Sequence, residues 1–507
     1  MNTQNTHITE RAPVVAIMGH IDHGKSTLLA YIRKSTKPLN EAGGITQSVS
    51  AYEVEHITTD NIKKLITFID TPGHEAFSGI RQRGARVADI AILVVSAEDG
   101  VKPQTIEAFK SIRDSKTPFI VAINKIDKPG ADIDRTKQSL AENEIYVEGY
   151  GGDIPFVPIS AKTGDGVPEL LTMILLVAEL EALTGDRSLP GSGIVIESNR
   201  DIKKGISATC IIKNGTVEKG MYIASGSAST PVRIMENFQG VHLLSATFSS
   251  PIKLIGWDIL PEVGESFQAF KTREEAVAFV EKQKEKRTDT HNSNSNGAQS
   301  NFSITSTHKI PVIVKADTGG SLEAVLHEIQ KLGTERISAQ VIGSGIGTIS
   351  ESDIRLADGH TKALVIGFNI KIDAPAKSLA DRNEIKINTF DIIYKLTDWL
   401  REALVENTPK MKVEESTGVA KILKIFSKVK DKQILGGRVE SGSIMQGAEV
   451  RIMRRDAEIG VGKVRELQQQ KSKTTEVLEG KEFGAMIESK VEIAPGDHIQ
   501  SFIIIEK

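Results

Sequence analysis

Short apolar runs alternate with amphipathic segments through the first third of the chain. The runs at 14–18, 65–69, 90–95 and 119–123 are almost entirely apolar, and each is followed by a loop rich in polar residues. Continuous apolar strands separated by helices are typical of a parallel sheet that is covered on both faces. Because open α/β sheets bind ligands at the carboxyl ends of their strands, we expect these loops to form a binding site.

The hydrophobic pattern changes several times along the chain, and these changes predict its domains. Short strands with frequent glycine turns after residue 190 indicate a small β-barrel, an α/β pattern returns near residue 310, and β-rich sequence resumes after residue 411. Apolar positions at helical spacing predict a helix over 391–406. The predicted segments are a disordered tail at 1–12, an α/β domain at 13–186, a β-barrel at 190–270, a helix and low-complexity linker at 271–308, a second α/β domain at 309–389, a connecting helix at 390–410 and a terminal β-barrel at 411–507.

The linker contains a polar, low-complexity stretch at 291–301, which we expect to be disordered because it has little apolar surface to bury.

The composition of the chain argues against a protein that coats nucleic acid, a disulfide-bonded protein and a membrane protein. The 507 residues are 39% hydrophobic and 25% charged with a net charge of −3, which argues against a strongly basic protein that coats nucleic acid. Cys210 is the only cysteine, so no intrachain disulfide can form, in keeping with a reducing cytosol. The polar N-terminus predicts no signal peptide, and no apolar stretch reaches the roughly 20 residues that span a bilayer. We therefore expect a cytoplasmic protein that does not bind membranes.

A phosphate-binding loop follows the first apolar run. Residues 19–26 read GHIDHGKS and fit the pattern G-x-x-x-x-G-K-[ST]. In such a loop backbone N–H groups close on the phosphates, the lysine pairs with the β- and γ-phosphates, and the serine hydroxyl coordinates Mg²⁺. The residues assigned to the phosphates are Asp22, His23, Gly24, Lys25, Ser26 and Thr27.

The second loop, DTPGH at 70–74, supplies candidates for metal binding and catalysis. A carboxylate at Asp70 can hold Mg²⁺ through water, because this ion loses its hydration shell reluctantly. Gly73 has the backbone freedom to bring an N–H to the γ-phosphate and to move when that group leaves. We assign His74 to orienting the attacking water, and Thr46 is the candidate for a second hydroxyl on Mg²⁺.

Two further motifs predict guanine recognition. The segment NKID at 124–127 follows a buried strand, and an ionised Asp127 can accept hydrogen bonds from the N1–H and 2-amino groups of guanine. Adenine lacks this pair of donors, so a site built around the carboxylate rejects it. The segment SAK at 160–162 is an ordinary turn when considered alone, but here it can offer a backbone N–H to guanine O6. The predicted guanine-binding residues are Asn124, Lys125, Asp127, Ser160, Ala161 and Lys162, and the predicted substrate is GTP.

These motifs resemble those of a known family. GHIDHGKST at 19–27 resembles the phosphate loop of translational GTPases, and DTPGHEAF at 70–77 and GGITQ at 43–47 resemble bacterial translation initiation factor two. The segments KADTGGSLEA at 315–324, GSGIGTISESD at 343–353 and IIYKL at 392–396 are similar to the same family. The resemblance extends over residues 13–507 and implies a short form without the long N-terminal extension of many members.

The resemblance implies an α/β and β multidomain fold: a P-loop GTPase domain, a β-barrel, an α/β/α domain, a long connecting helix and a terminal β-barrel. It also implies a monomeric initiation factor that brings formylmethionyl initiator tRNA to the small ribosomal subunit, acts beside other initiation factors and promotes joining of the large subunit. The large subunit would stimulate hydrolysis of GTP. In the family pattern the catalytic histidine falls on His74 and the switch threonine on Thr46.

The sequence departs from the family pattern at two places. Ser48 stands where members often have histidine, and glycine and phenylalanine stand where the terminal barrel often has cysteines. We expect Phe483 to change the shape of the pocket for the tRNA end, which the resemblance assigns to Gly436, Gly437, Phe483 and Gly484.

Two alternatives remain open at this point. One is an elongation-type factor that delivers a specialised aminoacyl-tRNA, although the α/β pattern at 310–388 does not predict the third barrel of such a factor. The other is a GTP-binding scaffold in which RNA contact is the function and hydrolysis is incidental.

Overall fold

The computed structural model describes residues 8–33, 49–58, 60–201, 204–294, 308–333, 337–407, 412–455, 457–470 and 472–506. The chain divides into two compact units, Met1–Asn407 and Thr408–Lys507, which are treated separately. Within the described ranges, no helix is both long enough and apolar enough to cross a lipid bilayer.

A six-stranded sheet with helices on both faces forms the first part of the first unit. Its strand order is β3-β4-β2-β5-β6-β7, with β3 antiparallel to β4 and the other pairings parallel. The strands are β2 (Val14–Gly19), β3 (Ser50–Ile57), β4 (Lys63–Asp70), β5 (Ile90–Ser96), β6 (Phe119–Asn124) and β7 (Phe156–Pro158). The helices are α1 (Lys25–Ile32), α2 (Ser78–Val87), α3 (Pro103–Ser115), α4 (Ile133–Glu142) and α5 (Val167–Leu180), with a short 3-10 helix at Glu75–Phe77.

The N-terminal tail corrects one expectation. Residues 1–12 were predicted to be disordered, and of these the structure describes 8–12, where β1 (Ile8–Glu10) pairs with β8 (Thr184–Asp186) in a two-stranded antiparallel sheet. Arg11 then forms an ion pair with Asp89 at 2.5 Å, and both side chains are buried. Backbone pairing and a buried charge pair thus order a segment whose polar composition alone indicated a free tail.

An antiparallel sheet of seven strands follows, in the order β13-β12-β17-β9-β10-β16-β14, and β11 pairs separately with β15. Alternating side chains from these strands enclose one apolar core that includes Cys210, Ile252 and Phe267. The strands are β9 (Ser192–Asp201), β10 (Gly205–Asn214), β11 (Thr216–Glu218), β12 (Tyr222–Ser225), β13 (Ala228–Pro231), β14 (Ile234–Glu236), β15 (Ser245–Thr247), β16 (Pro251–Ile255) and β17 (Ser266–Phe270).

The linker is partly helical. Helix α6 (Arg273–Asn294) continues into the stretch at 291–301 that was predicted to be disordered, so that prediction is wrong for 291–294. The remaining residues of the stretch lie outside the described ranges.

A second parallel sheet completes the first unit. Its order is β19-β18-β20-β21, and its two faces bury separate apolar clusters, one against α7 and α10 and the other against α8 and α9. Helix α7 begins where the Thr318 side chain accepts a hydrogen bond from the Ser321 N–H, which is a favoured N-cap. The strands are β18 (His308–Ala316), β19 (Ile337–Ile346), β20 (Leu364–Phe368) and β21 (Ile387–Phe390); the helices are α7 (Gly319–Lys331), α8 (Glu351–Asp358), α9 (Ala374–Arg382) and α10 (Ile393–Glu406).

The second unit is a closed antiparallel barrel. Its strands follow the order β22-β29-β24-β25-β28-β23, and β23 pairs back onto β22. The strands are β22 (Lys412–Val429), β23 (Lys432–Met445), β24 (Glu449–Arg454), β25 (Ala457–Gln469), β26 (Ser472–Lys473), β27 (Glu476–Leu478), β28 (Glu482–Ser489) and β29 (His498–Glu506). The predicted α/β and β multidomain fold class is confirmed.

Candidate functional site

The predicted phosphate loop connects the end of β2 to the start of α1. Gly19 has φ 136° and Gly24 has φ 90°, a backbone region that glycine adopts without steric cost. Asp22 adopts φ 57° between them, which is uncommon for a residue with a side chain. The chain turns sharply at Gly24 into α1, so the N-terminus of this helix adjoins the loop, with Ser26 exposed in the first turn. This geometry is suited to binding an anion.

Lys25 lies across this loop. Its side chain is buried, and its Nζ donates hydrogen bonds to the carbonyl oxygens of Gly19 at 2.9 Å and His20 at 2.5 Å. Burial lowers the pKa of Lys25 to about 8, while the nearby Asp70 carboxylate opposes that shift. A phosphate group beside the ammonium would favour its charged form, so the site is electrostatically prepared for an anionic ligand.

His23 is a predicted phosphate-binding residue whose ring packs into the domain. The imidazole is buried, with Nδ1 3.3 Å from the Val94 carbonyl oxygen on β5. Burial, followed by the neighbouring His20, lowers the pKa of His23 to about 3, so the ring is neutral at physiological pH. The predicted role in phosphate binding is thereby restricted to the main chain of this residue.

The DTPGH loop lies directly beside the phosphate loop, because β4 pairs with β2 and Asp70 is in register with Ile17. A Cβ atom added to Gly73 would lie 2.5 Å from the Lys25 Nζ, so a side chain at this position would displace the ammonium from its place in the loop. Asp70 is fully buried at the end of β4. The Asp70 carboxylate lies near the Lys25 ammonium, and this carboxylate and the hydroxyl of Ser26, the next residue, are oxygen donors of the kind that Mg²⁺ prefers. The other predicted ligand, Thr46, lies outside the described residues.

His74 is held at the start of the 3-10 helix. Its Nδ1 accepts a hydrogen bond from the Ala76 N–H at 2.9 Å, so Nε2 carries the ring proton in the neutral form and is the nitrogen that can meet a water. The ring packs edge-on against Tyr394 of α10, with centroids 4.3 Å apart. Burial lowers the pKa of His74, which keeps the imidazole neutral. The predicted catalytic residue thus lies beside the phosphate loop but is in contact with the connecting helix.

Sequence reasoning missed the residue that fixes this loop. Arg81 on α2 is almost fully buried, and its Nη1 donates to the carbonyl oxygens of Pro72, at 3.1 Å, and His74. Its other terminal nitrogen pairs with Glu107. Three arginines occupy α2, and no pattern in the sequence singles out Arg81 as the buried one.

Asn124 connects the phosphate side of the site to the base side. Its Nδ2 donates to the His23 carbonyl oxygen at 2.8 Å, and its Oδ1 accepts from the Ala161 N–H at 2.9 Å. Both atoms of the amide are therefore engaged by the protein. These two bonds assign Asn124 to holding the two loops together, and its predicted contact with guanine, for which the amide keeps a second N–H, stays a prediction.

Asp127, the predicted base-recognition residue, has an exposed side chain that is held by one hydrogen bond. Its side chain is exposed, and its Oδ1 accepts a hydrogen bond from the Ser160 hydroxyl at 2.7 Å. This hydrogen bond lowers the pKa of Asp127, so the carboxylate is ionised at neutral pH. Lys125 adopts φ 67° and its Nζ lies 3.5 Å from Asp99, while Lys162 is exposed next to the Ser160 turn. The NKID and SAK loops thus come together as predicted.

A second candidate site lies on the terminal barrel, where a cavity of about 580 Å³ opens between β22, β23, β25 and β28. Gly436 pairs with Gly484, and Gly437 pairs with Phe483, so the four predicted pocket residues are neighbours. Phe483 is 5% exposed and belongs to the core of the barrel. Its ring lies beneath Gly437, so it supports the floor of the cavity and does not fill the opening.

We predict that Gly437→Ala destabilises the barrel by roughly 1–3 kcal/mol, the usual cost of overpacking. A Cβ atom at this position would lie 2.7 Å from the Lys421 carbonyl oxygen and 2.8 Å from the Phe483 Cζ. Gly484→Ala is the matched control, because nothing lies within 4 Å of its added Cβ. Hydrogen exchange of the barrel strands measures the difference, and equal protection in the two variants would contradict the packing argument.

Three family models match successive parts of the chain. Residues 10–179 match the elongation factor Tu GTP binding domain, residues 190–270 match elongation factor G domain 2, and residues 281–401 match translation-initiation factor 2. The first two ranges coincide with the six-stranded sheet and the seven-stranded sheet described above.

Individual relatives extend the similarity to nearly the whole chain. Translation initiation factor IF-2 of Persephonella marina is 40% identical over 99% of this chain, which spans 57% of that protein. The factor of the same name from Halothermothrix orenii is 39% identical over 97% of this chain, which spans 72% of that protein. Among solved structures, GDP-bound aIF5B from Aeropyrum pernix is 26% identical and covers 97% of this chain and 92% of its own, with a TM-score of 0.47. From the extent and level of identity to the two bacterial factors, the chain belongs to the family of translation initiation factor two.

Proposed function

We propose that this protein is a GTPase that acts as a translation initiation factor. The observation that carries the proposal is the convergence of an ionised, exposed Asp127 with the Lys25 loop, linked by Asn124. A carboxylate facing the base edge selects guanine, and a buried ammonium at a helix N-terminus binds the triphosphate.

In the proposed reaction, Lys25 and the loop around Gly73 change their hydrogen bonds when the γ-phosphate is bound. Lys25 exchanges its two carbonyl partners for phosphate oxygens, and the N–H of Gly73 donates to the γ-phosphate. Ser26 and Asp70 would hold Mg²⁺, with Thr46 as a further ligand, and the ion would neutralise charge on the phosphates. The Nε2 of His74 orients the attacking water once the imidazole has left its contact with Tyr394.

The proposed partners follow from family membership. The factor would bind initiator tRNA, in the formylmethionyl form that the family resemblance implies, through the cavity of the terminal barrel. It would act as a cytoplasmic monomer on the small subunit beside other initiation factors, and the large subunit would stimulate hydrolysis. The exposed apolar side chains and paired glycines of the barrel cavity support this assignment.

The alternative of an elongation-type factor has less support from the structure than from the sequence alone. Such a factor needs a third barrel, whereas residues 308–390 form a parallel sheet between helices. The scaffold alternative predicts that a non-hydrolysable GTP analogue supports repeated rounds of initiation, including release of the factor. Arrest after one round would exclude it.

The proposed function is tested by measuring GTP turnover with ribosomal subunits, with and without aminoacylated initiator tRNA. The isolated protein should be slow, because its catalytic imidazole is engaged elsewhere, and ribosomes should raise the rate steeply, toward the ~10⁵-fold reached by partner-stimulated GTPases. Equal rates with and without ribosomes would refute the proposal. If ribosomes stimulate GTP hydrolysis equally with and without initiator tRNA in a complete initiation assay, only the proposed role of the tRNA is refuted.

A further inference from the structure

Helix α3 is fixed against the sheet from which the phosphate loop emerges. Its apolar face buries Ala108 and Ile112 in the cluster that also contains Met18 of β2. At the start of the helix the Lys102 N–H donates to the hydroxyl of the fully buried Thr105 at 3.3 Å. Because both its apolar face and its first turn are held, α3 can serve as a rigid support for the loops beside it.

Gln104, in the first turn of α3, contacts the phosphate loop. Its Oε1 accepts a hydrogen bond from the Ile21 N–H at 3.0 Å, and the side chain is only partly exposed. Asp22 follows Ile21 directly and adopts φ 57°, a conformation that persists in a residue with a side chain only when its surroundings hold it. The hydrogen bond to Gln104 holds the peptide group next to this residue.

Glu107, one turn later on α3, holds the loop of His74 through Arg81. Its carboxylate pairs with one terminal nitrogen of Arg81, and the other terminal nitrogen donates to the Pro72 and His74 carbonyl oxygens. The Arg81 side chain is 1% exposed, so Glu107 compensates a charge that is buried. Residues three apart on a helix are neighbours on its surface, so Gln104 and Glu107 support the two loops from one face of α3.

The two supported loops also contact each other. A Cβ atom added to Gly73 would lie 3.2 Å from the Ile21 Cγ1 and 3.3 Å from the Ile21 backbone nitrogen. The residue that donates to Gln104 thus packs against the glycine between the two carbonyl groups that Arg81 holds. A fixed α3 therefore sets the position of the phosphate loop relative to the loop of His74.

We propose that Gln104 and Glu107 are positioning residues of the GTPase site: Gln104 holds the phosphate loop for nucleotide binding, and Glu107 holds His74, through Arg81, for hydrolysis. The inference rests on the proposed function and adds α3 to it as the element that places both loops. Each residue acts through a loop and not by contact with the nucleotide. Because the loops have different tasks, a variant of Gln104 should lose affinity and a variant of Glu107 should lose rate.

The first test is Gln104→Met in the full chain. Methionine has a similar length but only a weakly accepting sulfur, so the Ile21 N–H loses its acceptor while the packing is kept. We expect GTP and GDP to bind about tenfold more weakly, the effect of losing one ordinary hydrogen bond. Calorimetry measures the affinity. Ribosome-stimulated hydrolysis in a single turnover at saturating GTP should be retained, because His74 keeps its support.

The second test is Glu107→Ala. The Arg81 guanidinium then lacks its carboxylate and should turn toward solvent, which releases the two carbonyl groups of the loop. We expect stimulated hydrolysis to fall about 10–10²-fold, because a displacement of about 1 Å in a catalytic group has an effect of this size. GTP affinity should be retained. Glu107→Gln keeps an oxygen acceptor at the same reach and should recover most of the rate.

Asp114→Asn is the matched control, because Asp114 is an exposed carboxylate at the other end of the same helix, and it should change neither quantity. Unchanged affinity in Gln104→Met, or full hydrolysis in Glu107→Ala, would overturn the inference. Loss of both binding and hydrolysis in each variant would also overturn it, since general destabilisation has that effect. If ribosomes do not stimulate the unmodified protein, the proposed function fails, and the affinities and slow intrinsic hydrolysis rates of the same variants decide the inference.

Discussion

Replacing Asp127 with asparagine is expected to weaken GTP binding by roughly 10²–10⁴-fold and to shift the preference toward xanthine nucleotides. The carboxylate would lose two charge-assisted hydrogen bonds to guanine, each worth about 1.5–3 kcal/mol. The asparagine amide exchanges an acceptor for a donor, which matches the additional carbonyl oxygen of xanthine. Calorimetry with GTP and xanthosine triphosphate measures both changes.

Asp134→Asn is the control for that experiment. Asp134 is an exposed carboxylate of the same domain that pairs with Lys137 at 3.5 Å, so its replacement should leave nucleotide binding unchanged. Ser160→Ala should have an intermediate effect, because it removes only the hydroxyl that orients Asp127. Retained guanine preference in Asp127→Asn would refute the proposed base recognition.

Replacing His74 with alanine is expected to lower ribosome-stimulated GTP hydrolysis by about 10²–10⁴-fold, the usual contribution of a positioned proton-transfer group. GTP binding should persist, because the phosphates contact the Lys25 loop and not the imidazole. Single-turnover hydrolysis with ribosomes, compared with equilibrium binding of GTP, separates the two effects.

The alanine variant also removes a helix cap, so a second variant is needed. His74→Asn keeps a side-chain oxygen that can accept from the Ala76 N–H, since asparagine is a favoured N-cap. If the asparagine variant is as slow as the alanine variant, the loss belongs to the imidazole. If it recovers the full rate, His74 has only a structural role. His56→Ala, on the edge strand β3, should behave as the unmodified protein.

The sequence predicted which loops meet at the candidate site, but it did not predict the residues that hold those loops in place. Lys25, Gly73 and Asp127 were identifiable because their motifs encode a backbone geometry or a hydrogen-bonding pattern that depends on local sequence. Arg81 was not, because its burial results from the packing of α2 on a loop and on α3, which no local pattern records. Tyr394 lies within a predicted helix, but its contact with His74 joins residues far apart in the chain, which the helical pattern does not predict.

The pocket of the terminal barrel also depends on contacts between residues that are distant in the chain, which the sequence did not predict. The unusual glycine and phenylalanine were visible in the sequence, and the expected consequence was an altered pocket. In the folded barrel Gly437 and Phe483 are cross-strand partners, and the large ring occupies the space that the absent side chain leaves. The two departures compensate for each other within the core of the barrel, and this compensation depends on a pairing between strands that no motif records.

The two hydrogen bonds of Asn124 have a thermodynamic consequence for nucleotide binding. Because one amide joins the His23 carbonyl to the Ala161 N–H, the loops for the base and for the triphosphate are aligned when the domain folds. The two loops lose their conformational entropy when the domain folds, so ordering them does not reduce the affinity for the nucleotide. Because neither loop has to be ordered by the ligand, binding of one end of the nucleotide does not lower an ordering cost for the other end, and the two ends should contribute nearly independently to the affinity.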